Sequence, residues 1–287
     1  MATATAAPSF AKPPVGVLGG LRRMADRYLL FTYSGLAVIY LLLPVAMIIL
    51  FSFNNPSGRR NFVWQEFSID AWLHPFAVPG LASSVGLSLL IAGVSTVIAT
   101  ILGTLLALAL VRYEFRGKRL TDTLIFLPMA TPEIVMGASL LTLFVSLGGP
   151  PFFPLSLLTI LVAHILFNIS YVVVTVRARL SGFPRHLEEA AMDLGANEWQ
   201  TFWRVTFPLI LPGIIAAALL AFSLSIDDFV ITNFTAGRTQ TFPMFIYAQA
   251  KVGVPVQVYV IGSVIFLVAV ISVGLTTLAG RRGATSK

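Results

Sequence analysis

Long apolar runs separated by short polar segments set the plan of this chain. Six runs stand out: 29–53, 84–111, 123–147, 155–176, 209–232 and 258–279. Each has roughly the 20 residues that a helix needs to cross about 30 Å of hydrocarbon. The pattern predicts an all-α integral membrane protein of six transmembrane helices, without an internal repeat or a separate soluble domain. Pro44 is expected to kink the first span, and Pro128 and Pro132 to break the third, with Glu133 just beyond. Such breaks are tolerated in a membrane where neighbours satisfy the freed carbonyls. Gly86, Gly93 and Gly103 on the second span should let helices approach closely. In the connection before the last span, residues 243–252 predict a short interfacial or re-entrant helix.

The longest polar interruption inside the chain runs from Ser181 to Gly213. Pro184 suits a first helical turn, because its missing N–H is unpaired there anyway. Leu187, Ala190, Ala191 and Leu194 recur at helical spacing, with Glu188, Glu189 and Asp193 on the other side. The two glutamates complement the positive end of the helix dipole. Gly195 follows as a C-terminal cap of left-handed backbone. The expected product is a short helix with one shallow apolar face, then a second helical piece over 197–207. Periodicity alone fits an amphipathic connector as well as a docking element.

Charge placement gives an orientation. The chain has 287 residues, 57% apolar and 11% charged, with a net charge of +7, and its mean hydropathy is +0.88. Of 19 Lys and Arg, 15 fall in the N-terminus, in the segments 112–119 and 177–204, and in the C-terminus. That alternation follows the positive-inside rule and predicts both termini in the cytoplasm. It also makes nucleic acid a poor partner for the excess charge. Residues 1–20, rich in Ala, Thr, Pro and Gly, are expected to be a disordered cytoplasmic tail. Residues 21–280 are expected to form one six-helix transmembrane domain that includes the loop 181–213, with 281–287 as a second cytoplasmic tail. The first apolar run is longer than a signal-peptide core and is read as an uncleaved span.

Acids inside apolar runs are costly, about 2.5–3.5 kcal/mol on insertion scales, so they normally face the bundle interior or water. Glu133 lies near the middle of the third run. On the fifth, Ser225, Asp228 and Thr232 share one helical face, and Asp227 points about 100° away from it. Glu133 and Asp228 read best as lining a route for a cation; Asp227 fits that role or a contact with a neighbouring helix equally. Phe222, Phe229, Phe234 and Tyr247 are candidates for cation–π contacts. The three histidines, His74, His164 and His186, lack ligand spacing and read as packing or interface residues, and the absence of cysteine excludes disulfides and thiolate metal sites. No Walker A pattern occurs. A Ser139/His164 intramembrane protease is a remote alternative, and an ion-coupled secondary carrier a stronger one. The carrier leaves the 181–213 segment without a purpose and lacks the inverted repeat common in that class.

Glu189-Ala190-Ala191, three residues, Gly195, nine residues, Val205, one residue and Phe207-Pro208 resembles the EAA signature of bacterial ABC importer permeases. Val205 and Phe207 replace the usual Ile and Leu. The stretches 132–148, 172–183, 222–234 and 246–254 resemble permeases of spermidine/putrescine importers, whose acid at the position of Glu133 is Asp. The resemblance implies a type I importer (MetI-like) architecture in the bacterial inner membrane, with 181–213 as the coupling loop. Its ATPase-coupling residues would be Glu189, Ala190, Ala191, Gly195 and Pro208. Its substrate-pathway residues would be Glu133, Ser225, Asp227, Asp228 and Thr232. Implied partners are a homologous permease, two copies of an ATP-binding subunit and an extracytoplasmic substrate-binding protein. The chain itself would catalyse nothing and hold no cofactor; ATP and Mg would bind the ATPase.

Overall fold

The structure, a computed structural model, describes residues 17–58, 60–147, 154–182 and 184–284, with side chains between 28 and 271 among them. Every element in the described residues is helical, apart from an isolated bridge between Asn54 and Phe67. In chain order these are α1 (Val17–Phe51), α2 (Asp70–Leu73), α3 (Leu81–Arg112), α4 (Lys118–Ala130) and α5 (Glu133–Ser146). Then come α6 (Leu157–Ser181), α7 (His186–Asp193), α8 (Glu198–Thr201), a π-helical segment (Phe202–Thr206) and α9 (Phe207–Ile226). The last three are α10 (Val230–Thr235), α11 (Phe242–Ala250) and α12 (Val256–Ala284).

Four helical stretches are long and apolar enough to span a membrane: Tyr28–Phe51, Leu81–Arg112, Leu157–Ser181 and Glu198–Ile226. The α4–α5 pair, bent by 112°, makes a fifth if it is one span. The expected sixth falls short by this measure, since the described apolar part of α12 covers only Val256–Ile271. The break between α4 and α5 sits at Thr131–Pro132, where Thr131 is extended, as sterics require of a residue before proline. A second break was not foreseen: the fifth run stops at Ile226 and restarts at Val230. Of the N-terminal residues expected to lack structure, 1–16 lie outside the described residues, and Val17–Gly20 open α1. The short turn expected at 148–154 lies outside them as well, except Pro154. Arg281–Ala284 belong to α12, and 285–287 are not described.

Two compact units divide the chain. The first holds residues 1–57, 62–73 and 259–287. Within it Phe53 stacks between Phe67 and Trp72, with ring centroids at 5.7 and 5.2 Å, and Trp72 Nε1–H donates to Ser52 Oγ at 3.2 Å. Trp72 is thus an amphipathic ring with its polar edge satisfied, as an interfacial aromatic needs.

The second unit, residues 58–61 and 74–258, holds both candidate sites. Its core is α3 against α6 and α9, built from Ala99, Ala107, Val172, Val176, Ala217 and Ala221. On α3, Ala99, Gly103 and Ala107 recur every four residues. A Cβ on Gly103 would lie 2.6 Å from Val172 Cγ1 and 3.3 Å from the Ile169 carbonyl oxygen. Small residues at this seam let the two backbones meet, which is how helices gain packing energy in lipid. Gly86 and Gly93 do not serve this seam; open space surrounds both.

Candidate functional site

At the Arg-rich end of the second unit, the 181–213 segment folds largely as its caps direct. Gly195 has φ +91°. Its N–H donates to Met192 O at 2.9 Å, and Ala196 N–H donates to Ala191 O at 3.1 Å. This is the double bond of a Schellman ending, with glycine at the one position where a Cβ is penalised. Asn197 starts the next piece through a reciprocal capping box: Gln200 N–H donates to Asn197 Oδ1 at 2.8 Å, and Asn197 N–H to Gln200 Oε1 at 3.1 Å. The second piece was expected over 197–207 alone. Instead α8 passes through the π segment into α9, so Glu198–Ile226 is a single helical stretch.

Helix α7 buries none of its residues. Leu187, Met192 and Leu194 are exposed, Leu194 to 90%, and Ala190 and Glu189 are exposed beside them. The helix thus leaves an apolar, small-residue face open beside its acids. Glu188 is the exception on α7. Both of its carboxylate oxygens pair with the Arg112 guanidinium at the end of α3, and Thr206 Oγ1–H donates to it at 2.5 Å. Arg112 and Glu188 side chains are only 16% and 15% exposed. With Arg185, Glu189, Glu198 and Thr201 they line a cavity of about 430 Å³. Sequence periodicity placed Glu188 on the polar side of its helix but gave no sign of its distant partners.

The membrane acids separate into two kinds. Glu133 opens α5 at the 112° break, exposed, at the positive end of a helix. Tyr171 of α6 lies within its electrostatic reach. Asp227, at the end of α9, is exposed too. Asp228 is the opposite case: its side chain is 6% exposed. It accepts from Thr232 N–H at 2.8 Å, Thr232 Oγ1–H at 2.6 Å and Ile231 N–H at 3.3 Å, which caps the start of α10. His164 Nε2 stands 3.3 Å from Asp228 Oδ2 and 2.9 Å from Thr232 Oγ1. His164 Nδ1 meets Ser225 Oγ at 2.6 Å, and Ser225 meets Ser95 at 3.0 Å.

Ser225, Asp228 and Thr232 do not form one continuous helical stripe, because the helix breaks at 227–229, yet they come together around His164 of α6, with Ser95 of α3 beyond Ser225. Because the Thr232 hydroxyl donates to Asp228, its oxygen is left to accept from His164 Nε2–H. The Ser225 hydroxyl extends the chain from Nδ1 to Ser95, able to donate one way and accept the other. Every polar atom in the cluster is satisfied, as buried groups require. His164 is a packing residue, as its spacing indicated, though its tie to an acid was not legible. Among the aromatic candidates, Phe234 packs on Gly137, where a Cβ would lie 2.5 Å from its ring. Tyr247 stacks on Phe229 at 4.6 Å and has Lys251 4.9 Å from its centroid. Phe234 is thus taken up in packing, whereas Tyr247 stays 52% exposed with Lys251 beside its ring.

Comparison with known proteins agrees with this geometry. Residues 99–282 match the family described as "Binding-protein-dependent transport system inner membrane component". The putrescine transport system permease protein PotI of Escherichia coli K12 is 39% identical over 234 residues, 80% of this chain and 83% of that protein. The spermidine/putrescine transport system permease protein PotC of the same strain is 37% identical over 243 residues, 84% of this chain and 90% of that one. A chain of a bacterial ABC transporter involved in the import of the acidic polysaccharide alginate shares the fold. Its TM-score is 0.66 at 16% identity, covering 91% of this chain and 98% of that one. An all-helical membrane fold, an exposed EAA-bearing helix and relatives along most of the length lead to one conclusion: the chain belongs to the family of binding-protein-dependent transport system inner membrane components, the permease subunits of ABC importers.

Proposed function

We propose that this chain is one of two permeases of a polyamine importer, taking up putrescine, spermidine or both. The observation that carries the coupling half of this reading is α7, which buries nothing of its own and ends in a Schellman turn with its apolar face open. The relatives named for polyamines support the substrate half. In this reading both termini and α7 lie in the cytoplasm of a bacterium whose inner membrane holds the chain. Two copies of an ATPase dock on α7 and on its counterpart in a homologous permease, and an extracytoplasmic binding protein delivers substrate. ATP and Mg bind the ATPase, and this chain catalyses no reaction.

The work is alternating access. ATP binding draws the ATPases together, and Glu189, Ala190, Ala191 and Gly195 receive that motion. Pro208, at the start of α9, lies where it enters the membrane. Glu133 and Asp227, the two exposed acids, touch the cationic substrate as it passes. Asp228, Ser225 and Thr232 shape the route by holding the α9–α10 break.

The test is reconstitution with the two partner subunits and the binding protein, followed by ATP-dependent uptake of labelled putrescine and spermidine. The expected result is saturable uptake of at least one, lowered several-fold by Glu133→Gln and Asp227→Asn with assembly intact. Uptake of neither, or accumulation by this chain alone under an ion gradient, would overturn it.

A further inference from the structure

Three elements meet on one carboxylate. Glu188 belongs to α7, Arg112 is the last residue of the 32-residue α3, and Thr206 closes the π segment that leads into α9. Arg112 grips both Glu188 oxygens with its two terminal nitrogens. That is the planar, two-pronged pairing that fixes angle as well as distance. Thr206, 3% exposed, adds a third contact by donating to Oε1, the oxygen that Arg112 Nη2 also holds. Apolar burial does not hold α7, because none of its residues is buried. A helix with no buried face passes force on through its chain connections and whatever polar ties it has, and this tie joins it to two spans at once.

We infer that Glu188, with Arg112 and Thr206, is the positioning joint through which displacement of α7 reaches α3 and α9. The inference rests on the reading of α7 as the ATPase-docking helix. Glu189, the acid of the EAA pattern, is exposed and free to meet a docking ATPase, and Glu188 beside it fastens the helix to its own spans. Adjacent acids thus divide docking from transmission.

The experiment uses the full complex in liposomes and reads three quantities: ATPase association, basal hydrolysis, and the rise in hydrolysis and uptake when loaded binding protein is added. Glu188→Gln should leave association and basal hydrolysis in place and lower stimulated uptake about tenfold, within the usual range of a coupling between two sites. Arg112→Lys keeps the charge without the fork and should fall between. The exchange R112E/E188R should recover at least half of the lost stimulation. A joint that merely stabilises the fold would lower all three readouts together, and that result overturns the proposal; so does unaltered coupling in Glu188→Gln. Failure of the wild-type chain to bind any ATPase would instead sink the docking assignment, an outcome read before any variant is compared.

Discussion

His164 is the residue whose surroundings define the membrane half of the site. Its ring reaches Ser225 on one side and Thr232 with Asp228 on the other, all inside the second unit. A carboxylate buried this deeply depends on its donors, and a hydrogen bond to a charged group contributes about 1.5–3 kcal/mol. Replacing His164 with Leu should therefore cost about 2 kcal/mol, read as a lower melting temperature of the purified chain in detergent. Gln, which keeps a donor and an acceptor, should cost less. An unchanged melting temperature in His164→Leu would mean that the cluster does not hold the fold. Helical spacing grouped Ser225, Asp228 and Thr232, but what joins them is the break at 227–229 and their contacts with His164. Their partner was not legible, since His164 is 61 residues from Ser225 in sequence and periodicity carries no distance of that kind. Glu188 and Arg112, 76 residues apart, escaped for the same reason.

At the level of elements, signals local to a few residues translated well. Helix α7 and its glycine ending follow from the spacing of Leu187, Ala190, Ala191 and Leu194 and from Gly195. The short helix expected over 243–252 appears as α11, Phe242–Ala250. Proline positions located the α4–α5 break but not its 112° angle, which depends on what each half packs against. The break at 227–229 contains no proline or glycine, so nothing local announced it; the capping of α10 by Asp228 is what defines it. Glycines were the least legible, because a small residue permits a close approach without specifying one. Gly103→Leu should prevent the α3–α6 seam from closing, with loss of monodisperse protein on size-exclusion chromatography. Gly93→Leu, with open space around it, should leave the isolated chain monodisperse. Equal behaviour of the two variants would remove the seam from the account.

For the whole molecule, the charge pattern makes an experimental claim of its own. Fifteen of 19 basic residues fall in alternate segments, and that bias orients membrane proteins during insertion. Reporter fusions at both ends and near Gly195 should be active only as cytoplasmic reporters, whereas a fusion near Arg238 should read as external. The reverse pattern would put α7 out of reach of any ATPase. Length and composition support four or five spans among the described residues, and the same fusions count the crossings directly. The purified chain alone should hydrolyse no ATP, as expected of a subunit that lacks a phosphate-binding loop.

The continuity of α8, the π segment and α9 has a mechanical consequence. Twenty-nine residues in one helical piece form a rod about 40 Å long at 1.5 Å per residue. Its first turn leaves the Gly195 ending, and its last turn carries Ser225 into the cluster around His164. A tilt of about five degrees about one end swings the other by roughly 3.5 Å over that length, more than a hydrogen bond spans. If an ATPase docks on α7 as proposed, the lever arm that reaches the break at 227–229 is thus already built into the backbone.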